Sequence, residues 1–180
     1  MRSSLVLTVI GADRPGLVEL LAATVAAHGG NWEQSRMAHL AGKFAGILII
    51  SLPEARLAEL HGALERLSGS GLRVVSEVAT PNVRPKSRGL QLEITGTDRE
   101  GIVREISRAL AARGVNVEEL DTSCESAPMA GNALFHARAV LRVPLELDIA
   151  ELQRTLESIA DDLMVDVGLL PLDAPHDHDE

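Results

Sequence analysis

The 180-residue chain carries 26 acidic against 17 basic side chains, a formal net charge of −9. That balance argues against direct nucleic-acid binding, because phosphate neutralisation needs clustered Lys and Arg. The 46% hydrophobic fraction is ample for packed cores, and with aromatics at only 2% those cores must be aliphatic. Cys124 is the only cysteine, which excludes an internal disulfide. No apolar run reaches the roughly 18–20 residues of a membrane span, and no secretory leader pattern is present, so a cytoplasmic protein away from membranes is expected.

Residues 5–10 read as a short β-branched strand that ends at Gly11. The next segment predicts a helix over 14–27, with Leu17, Leu21, Thr24 or Val25, and His28 on one stripe and a stop at Gly29-Gly30. Residues 31–40 form a polar-alternating strand. After a turn around Gly42-Lys43, residues 44–52 contain the run Ile47-Leu48-Ile49-Ile50, which suggests a strand buried on both faces. Leu57, Leu60, Leu64 and Leu67 recur at spacings of three, four and three, a helical stripe that ends in Ser68-Gly69-Ser70-Gly71. Residues 72–78 close the unit as a strand. The order is βαββαβ, the split βαβ or ferredoxin-like arrangement.

The order then repeats. Gly11-Ala12-Asp13-Arg14-Pro15-Gly16-Leu17-Val18 returns as Gly96-Thr97-Asp98-Arg99-Glu100-Gly101-Ile102-Val103, and Asn31 returns as Asn116, all at an offset of 85. By Phe44 and Phe135 the offset is 91, so the hairpin after the second strand is about six residues longer in copy two, around 123–131. Leu90, Leu92 and Ile94 alternate with Gln91, Glu93 and Thr95, and Ile149, Leu152, Leu156 and Ile159 rebuild the second helical stripe. The expected organisation is domain 1 over 1–80, a Pro-rich basic linker over 81–88, domain 2 over 89–172 and an acidic disordered tail over 173–180. The fold class is α+β, two tandem βαββαβ units whose helices cover one face of an antiparallel sheet. The outer sheet face of copy one carries Val6, Thr8, Ile10, Ile47 and Ile49, and is expected to be an interface, either between the copies or with a second chain. In copy two, His136, Arg138 and Arg142 point outward.

In each Gly-x-Asp-Arg-x-Gly loop the chain leaves a strand and enters a helix. Asp13 and Asp98 are suitable N-cap residues, and Pro15 suits a first turn. Unpaired N–H groups and the positive dipole end favour a small anionic group there. These loops, together with Gly-x-Asn at the start of each second strand, make the chain resemble a tandem ACT-domain protein over most of residues 4–170. The segment from Asn31 to Leu40 resembles, within that family, transcriptional regulators that consist of two ACT domains alone.

The resemblance implies amino-acid sensing, with ligand held between domains, beside Gly11, Asp13, Gly16, Leu17 and Asn31 in copy one, and beside Asp98, Gly101, Ile102 and Asn116 in copy two. The carboxylate of a small amino acid such as glycine would meet the helix-start N–H groups, and its ammonium the Asp and Asn oxygens. The bland alternative is that each Asp merely caps its helix and each Asn merely follows a turn. The implied partner is a protein such as a transcription activator, in a homo-oligomer. The alternatives are a regulatory subunit of a biosynthetic enzyme and a ligand-free assembly module. No catalytic residue, metal site or cofactor is expected. The His residues lack ligand spacing, His176-Asp177-His178 belongs to the tail, Cys124 has no evident activating base, and no Ser-His-Asp set is evident.

Overall fold

A computed structural model describes residues 1–80, 85–126 and 133–172, with the Ser126 side chain outside the description. The first half of the basic linker (81–84), the tip of the longer copy-two hairpin and the acidic tail with His176 and His178 therefore lie outside the described residues. The chain divides into two compact units, Met1–Asn82 and Val83–Glu180.

Unit one runs β1 (Arg2–Ala12), α1 (Leu17–Ala27), β2 (Asn31–Leu40), β3 (Lys43–Pro53), α2 (Leu57–Arg66) and β4 (Leu72–Val78), with 3₁₀ turns on either side of α2. Unit two repeats this as β5 (Ser87–Thr97), α3 (Ile102–Ala111), β6 (Asn116–Ser126), β7 (Ala133–Pro144), α4 (Ile149–Leu163) and β8 (Val165–Pro171). The sheets are ordered β2-β3-β1-β4 and β6-β7-β5-β8, and every strand pairing is antiparallel. Both are ferredoxin-like units, as the repeated βαββαβ order predicts.

Each unit has its own aliphatic core. In unit one, Leu5, Leu7 and Val9 of β1 and Leu48, Ile50 and Leu52 of β3 are buried under Leu17, Leu21, Val25, Leu60 and Leu64 of the helices. In unit two, Leu92, Ile94, Ala137, Ala139 and Leu141 form the floor beneath Ile102, Ile106, Leu110, Leu152 and Leu156. Side chains alternate across a strand, so only one face of each sheet can be covered by the unit's own helices.

That geometry corrects the reading of β3 as buried on both faces. Leu48 and Ile50 lie inside, whereas Ile47 is 53% exposed and Ile49 only half-buried. On the same outer face Val6 is half-buried and Thr8 and Ile10 are exposed. The run of four apolar residues thus supplies one inner stripe and one open one.

Both units share a close backbone approach where the first strand ends. A Cβ on Gly11 would lie 2.5 Å from the Gly71 carbonyl oxygen, and one on Gly96 would lie 2.8 Å from the Val165 Cα. The first glycine of the loop motif is therefore a packing requirement of the first strand against the last.

Candidate functional site

The loop after β1 is shaped by one left-handed residue. Gly16 has φ 89° and stands immediately before α1, and Gly101 does the same before α3 with φ 97°. A side chain there would be strained, whereas glycine enters that region freely. The first helical bonds run from Leu20 N–H to Gly16 O and from Glu105 N–H to Gly101 O, both 2.9 Å. Neither helix start receives a side-chain cap.

Asp13 and Asp98 consequently do not cap the helices, contrary to expectation. The left-handed glycine occupies the cap position, which leaves each Asp three residues upstream and Pro15 in the preceding turn rather than in the helix. The main-chain N–H of Asp13 instead donates to Gly42 O at 2.9 Å, and that of Asp98 to Ala133 O at 2.8 Å. The loop is stitched to the β2–β3 end of the sheet, and the carboxylate faces outward.

The side chain across from each Asp differs between copies. His39 Nε2 lies 3.7 Å from the Asp13 carboxylate, with both groups about half exposed. At the matching place in unit two, exposed Cys124 hydrogen-bonds Asp98. Partial loss of water and the charge and hydrogen bond of Asp98 together push the Cys124 thiol up from its ordinary value. The carboxylate thus favours S–H over thiolate, which opposes nucleophilic reactivity. Neither His39 nor Cys124 was placed beside the loop Asp residues from the sequence, although their offset of 85, identical to that of the two Asp residues, carries the signal.

Arg14 and Arg99 are engaged within the fold. Arg14 Nη2 donates to Ser70 O at 2.8 Å, and Arg99 Nη1 donates to Asp162 O at 3.3 Å. In unit one the loop borders an open cavity of about 520 Å³ lined by Asp13, Arg14, Gly16, Leu17, Val18, Glu19, Ala22 and Phe44. Here are found the uncapped N–H groups of the helix start, two carboxylates and an apolar wall.

The two Asn residues are not brought to the loops of their own units. Asn31 pairs with Ser51, while Leu40 and Ala12 both pair with Lys43. Asn31 thus stands at the far end of β2, nine residues or about 30 Å from the Asp13 end at strand rise. Asn116 pairs with Arg142 and occupies the equivalent far end in unit two. Both are exposed.

One side-chain chain in unit one has the composition of a triad. His61 Nδ1 lies 2.8 Å from Ser76 Oγ and its Nε2 lies 3.2 Å from Glu65 Oε1. The ring nitrogens are used in the reverse sense from a Ser-His-Asp triad. His61 and Glu65 are 58% and 68% exposed and lie one turn apart on α2, so they form a solvated surface pair. Among the described residues, no group of three or more His, Cys, Asp or Glu could hold a metal ion, and no helix is long and apolar enough to cross a membrane.

The repeated fold and loop define a class, the tandem ferredoxin-like units. A sequence profile of the ACT domain matches residues 3–72, and unit two repeats the same topology, so the chain is a tandem ACT-type protein. It resembles the glycine cleavage system transcriptional repressor of Escherichia coli strain K12, at 24% identity over 162 residues covering 88% of this chain and 85% of that protein. A crystal structure of an unknown protein from Galdieria sulphuraria is 32% identical and superposes with a TM-score of 0.83, covering 96% of this chain and 99% of that one. That of a candidate glycine cleavage system transcriptional repressor is 21% identical with a TM-score of 0.70, covering 96% and 98%, and it agrees in fold.

Proposed function

We propose that the protein is a non-catalytic cytoplasmic regulator that binds a small amino acid at its Gly-x-Asp-Arg-x-Gly loops and passes that occupancy to a protein partner. The observation that carries this reading is the uncapped start of α1 beside Asp13 at the edge of a cavity of about 520 Å³. Orphan helix N–H groups donate to a carboxylate and a nearby aspartate accepts from an ammonium, which together suit a zwitterion. Gly11 shapes the turn, Gly16 and Leu17 receive the carboxylate and Asp13 the ammonium; Gly101, Ile102 and Asp98 take these parts in unit two. Asn31 and Asn116 stand too far along their strands to serve their own loops, so they serve the loops of a second copy of the chain in a homo-oligomer.

The name of the Escherichia coli relative favours glycine as the ligand and transcription control as the output. With a net charge of −9, the route is a transcription activator rather than DNA itself. A ligand biases that partner only by binding one association state better than another.

Calorimetry against the twenty amino acids tests the reading. Glycine or a small relative is expected to give saturable heat that weakens about tenfold or more in Asp13→Ala, as for the loss of a charge-assisted hydrogen bond. Heat from none of them would remove the sensor reading. Affinity capture with and without the ligand then separates an activator from the catalytic chain of a biosynthetic enzyme, and recovery of the latter would overturn the assigned output.

A further inference from the structure

The helix-free sheet face of unit two carries a cleft of about 310 Å³ that the loop reading does not use. It is lined by Glu93 and Thr95 of β5, Asp121 and Ser123 of β6, and His136 and Arg138 of β7. Strand register arranges these six side chains in two rows: Asp121, Arg138 and Glu93 lie abreast, and Ser123, His136 and Thr95 lie abreast one step along. The floor beneath is the buried row of Ile94 and Ala137.

The fold does not require this chemistry. At the matching positions of unit one stand Arg36, Ile47 and Thr8, then Ala38, Ala45 and Ile10, on the same face of the same topology. Copy two therefore holds a hydrogen-bonding or charged group at every one of the six places, where copy one has four apolar side chains.

The groups are also only partly satisfied by one another. Arg138 Nε lies 3.4 Å from Glu93 Oε1, which leaves its two terminal nitrogens without a partner among the described residues. Glu93 is held in turn by Gln91 Nε2 at 2.8 Å. His136 Nδ1 meets Thr95 Oγ1 at 3.2 Å, which leaves Nε2 without a partner among the described residues. Asp121, although abreast of Arg138, makes no ion pair among the described residues. A planar guanidinium edge thus sits beside an unpaired carboxylate, with hydroxyls and an imidazole along one side. A guanidinium edge takes a carboxylate with two parallel bonds, and the free carboxylate next to it takes an ammonium. The volume lies at the lower end of ligand clefts, about 300–1,000 Å³.

We propose that this cleft is a second ligand site, separate from the loops, for a small polar α-amino acid. Arg138 holds the ligand carboxylate, Asp121 its ammonium, and Ser123, Thr95 and His136 face its side chain. Serine fits these requirements, and leucine lacks any partner for its side chain.

Backbone amide NMR of the full chain titrated with L-serine tests the proposal, with L-leucine and sodium chloride as controls. Saturable shifts are expected at residues 93–95, 121–123 and 136–138. Asp121→Asn and Arg138→Gln should each weaken them about tenfold or more, while Asp13→Ala leaves them unchanged. Equal shifts with sodium chloride would mark a solvated charged face and overturn the site. So would the absence of saturable shifts with serine, or their loss in Asp13→Ala. Shifts confined to the two loops would support the loop reading alone, and shifts at the cleft with silent loops would support the cleft alone.

Discussion

The two units agree to the residue in register and disagree almost everywhere that register leaves free. Their inner faces are interchangeable in kind: Leu21 in α1 and Ile106 in α3 are both buried and stand 85 residues apart. Their loops share a left-handed glycine, an arginine and an outward aspartate. Yet the aspartate faces His39 in one copy and Cys124 in the other, and the open sheet face changes from Ile47 and Ile10 to Arg138 and Thr95. A duplicated fold fixes the positions that pack and turn, and the remainder can be spent on recognition. Differences at unconstrained positions are therefore where separate functions for the two copies should be sought.

The largest expected effect tests whether the inner faces are equivalent. Leu21→Ala and Ile106→Ala should each cost about 2–5 kcal/mol, the range for emptying a buried aliphatic site. Denaturant unfolding followed by hydrogen exchange in each unit reads both. A cost in one copy with near-neutrality in the other would break the equivalence. Next come the left-handed glycines: Gly16→Ala and Gly101→Ala should each cost about 1–2 kcal/mol, since an L side chain resists that region. Neither substitution meets a neighbouring atom within 4 Å, so a clash cannot be confused with backbone strain.

Smaller again is the loss of the arginine tether. Arg14→Ala should cost about 0.5–1.5 kcal/mol, and Arg99→Ala less, because its bond is longer, 3.3 against 2.8 Å. Thermal melts of the two variants compare them, and the reverse order would contradict the geometry. The smallest effect on stability, but the clearest contrast between copies, lies at Cys124. With its thiol held up by lost hydration and by Asp98, alkylation by iodoacetamide should be slow at neutral pH and accelerate only above the ordinary thiol range. Asp98→Asn removes the carboxylate charge, lowers the thiol pKa and should speed alkylation at neutral pH. An unchanged rate profile would show that Asp98 does not control the thiol.

Much of the architecture was legible because it is written in periodicity. Leucines at helical spacing, alternating strands and an offset of 85 shared by Asp13, Asn31 and their counterparts specify two βαββαβ units. The misread parts have physical reasons. Ile47 to Ile50 looked doubly buried because an apolar run does not say whether a second layer covers the outer face. Asp13 looked like a cap because cap preference is local, whereas the left-handed turn at Gly16 moves the cap position three residues on. How far Asn31 stands from Asp13 within one unit was not legible either. Strand direction, which separates them by about 30 Å, is a property of the sheet and not of either motif. The facing of Asp13 by His39 follows from the same sheet, since the hairpin between β2 and β3 returns the far end of β2 to the loop.

The arginine of each loop reaches a main-chain oxygen, Ser70 O or Asp162 O, and a main-chain oxygen is present whatever the residue. Positions 70 and 162 can therefore drift in sequence while the latch persists, and the acceptor carries no ionisable group that acid or salt could switch off. Distant versions of this loop should be recognisable by a constant arginine opposite an inconstant residue. Covariation methods would overlook such a contact, since only one of its two sides depends on a side chain.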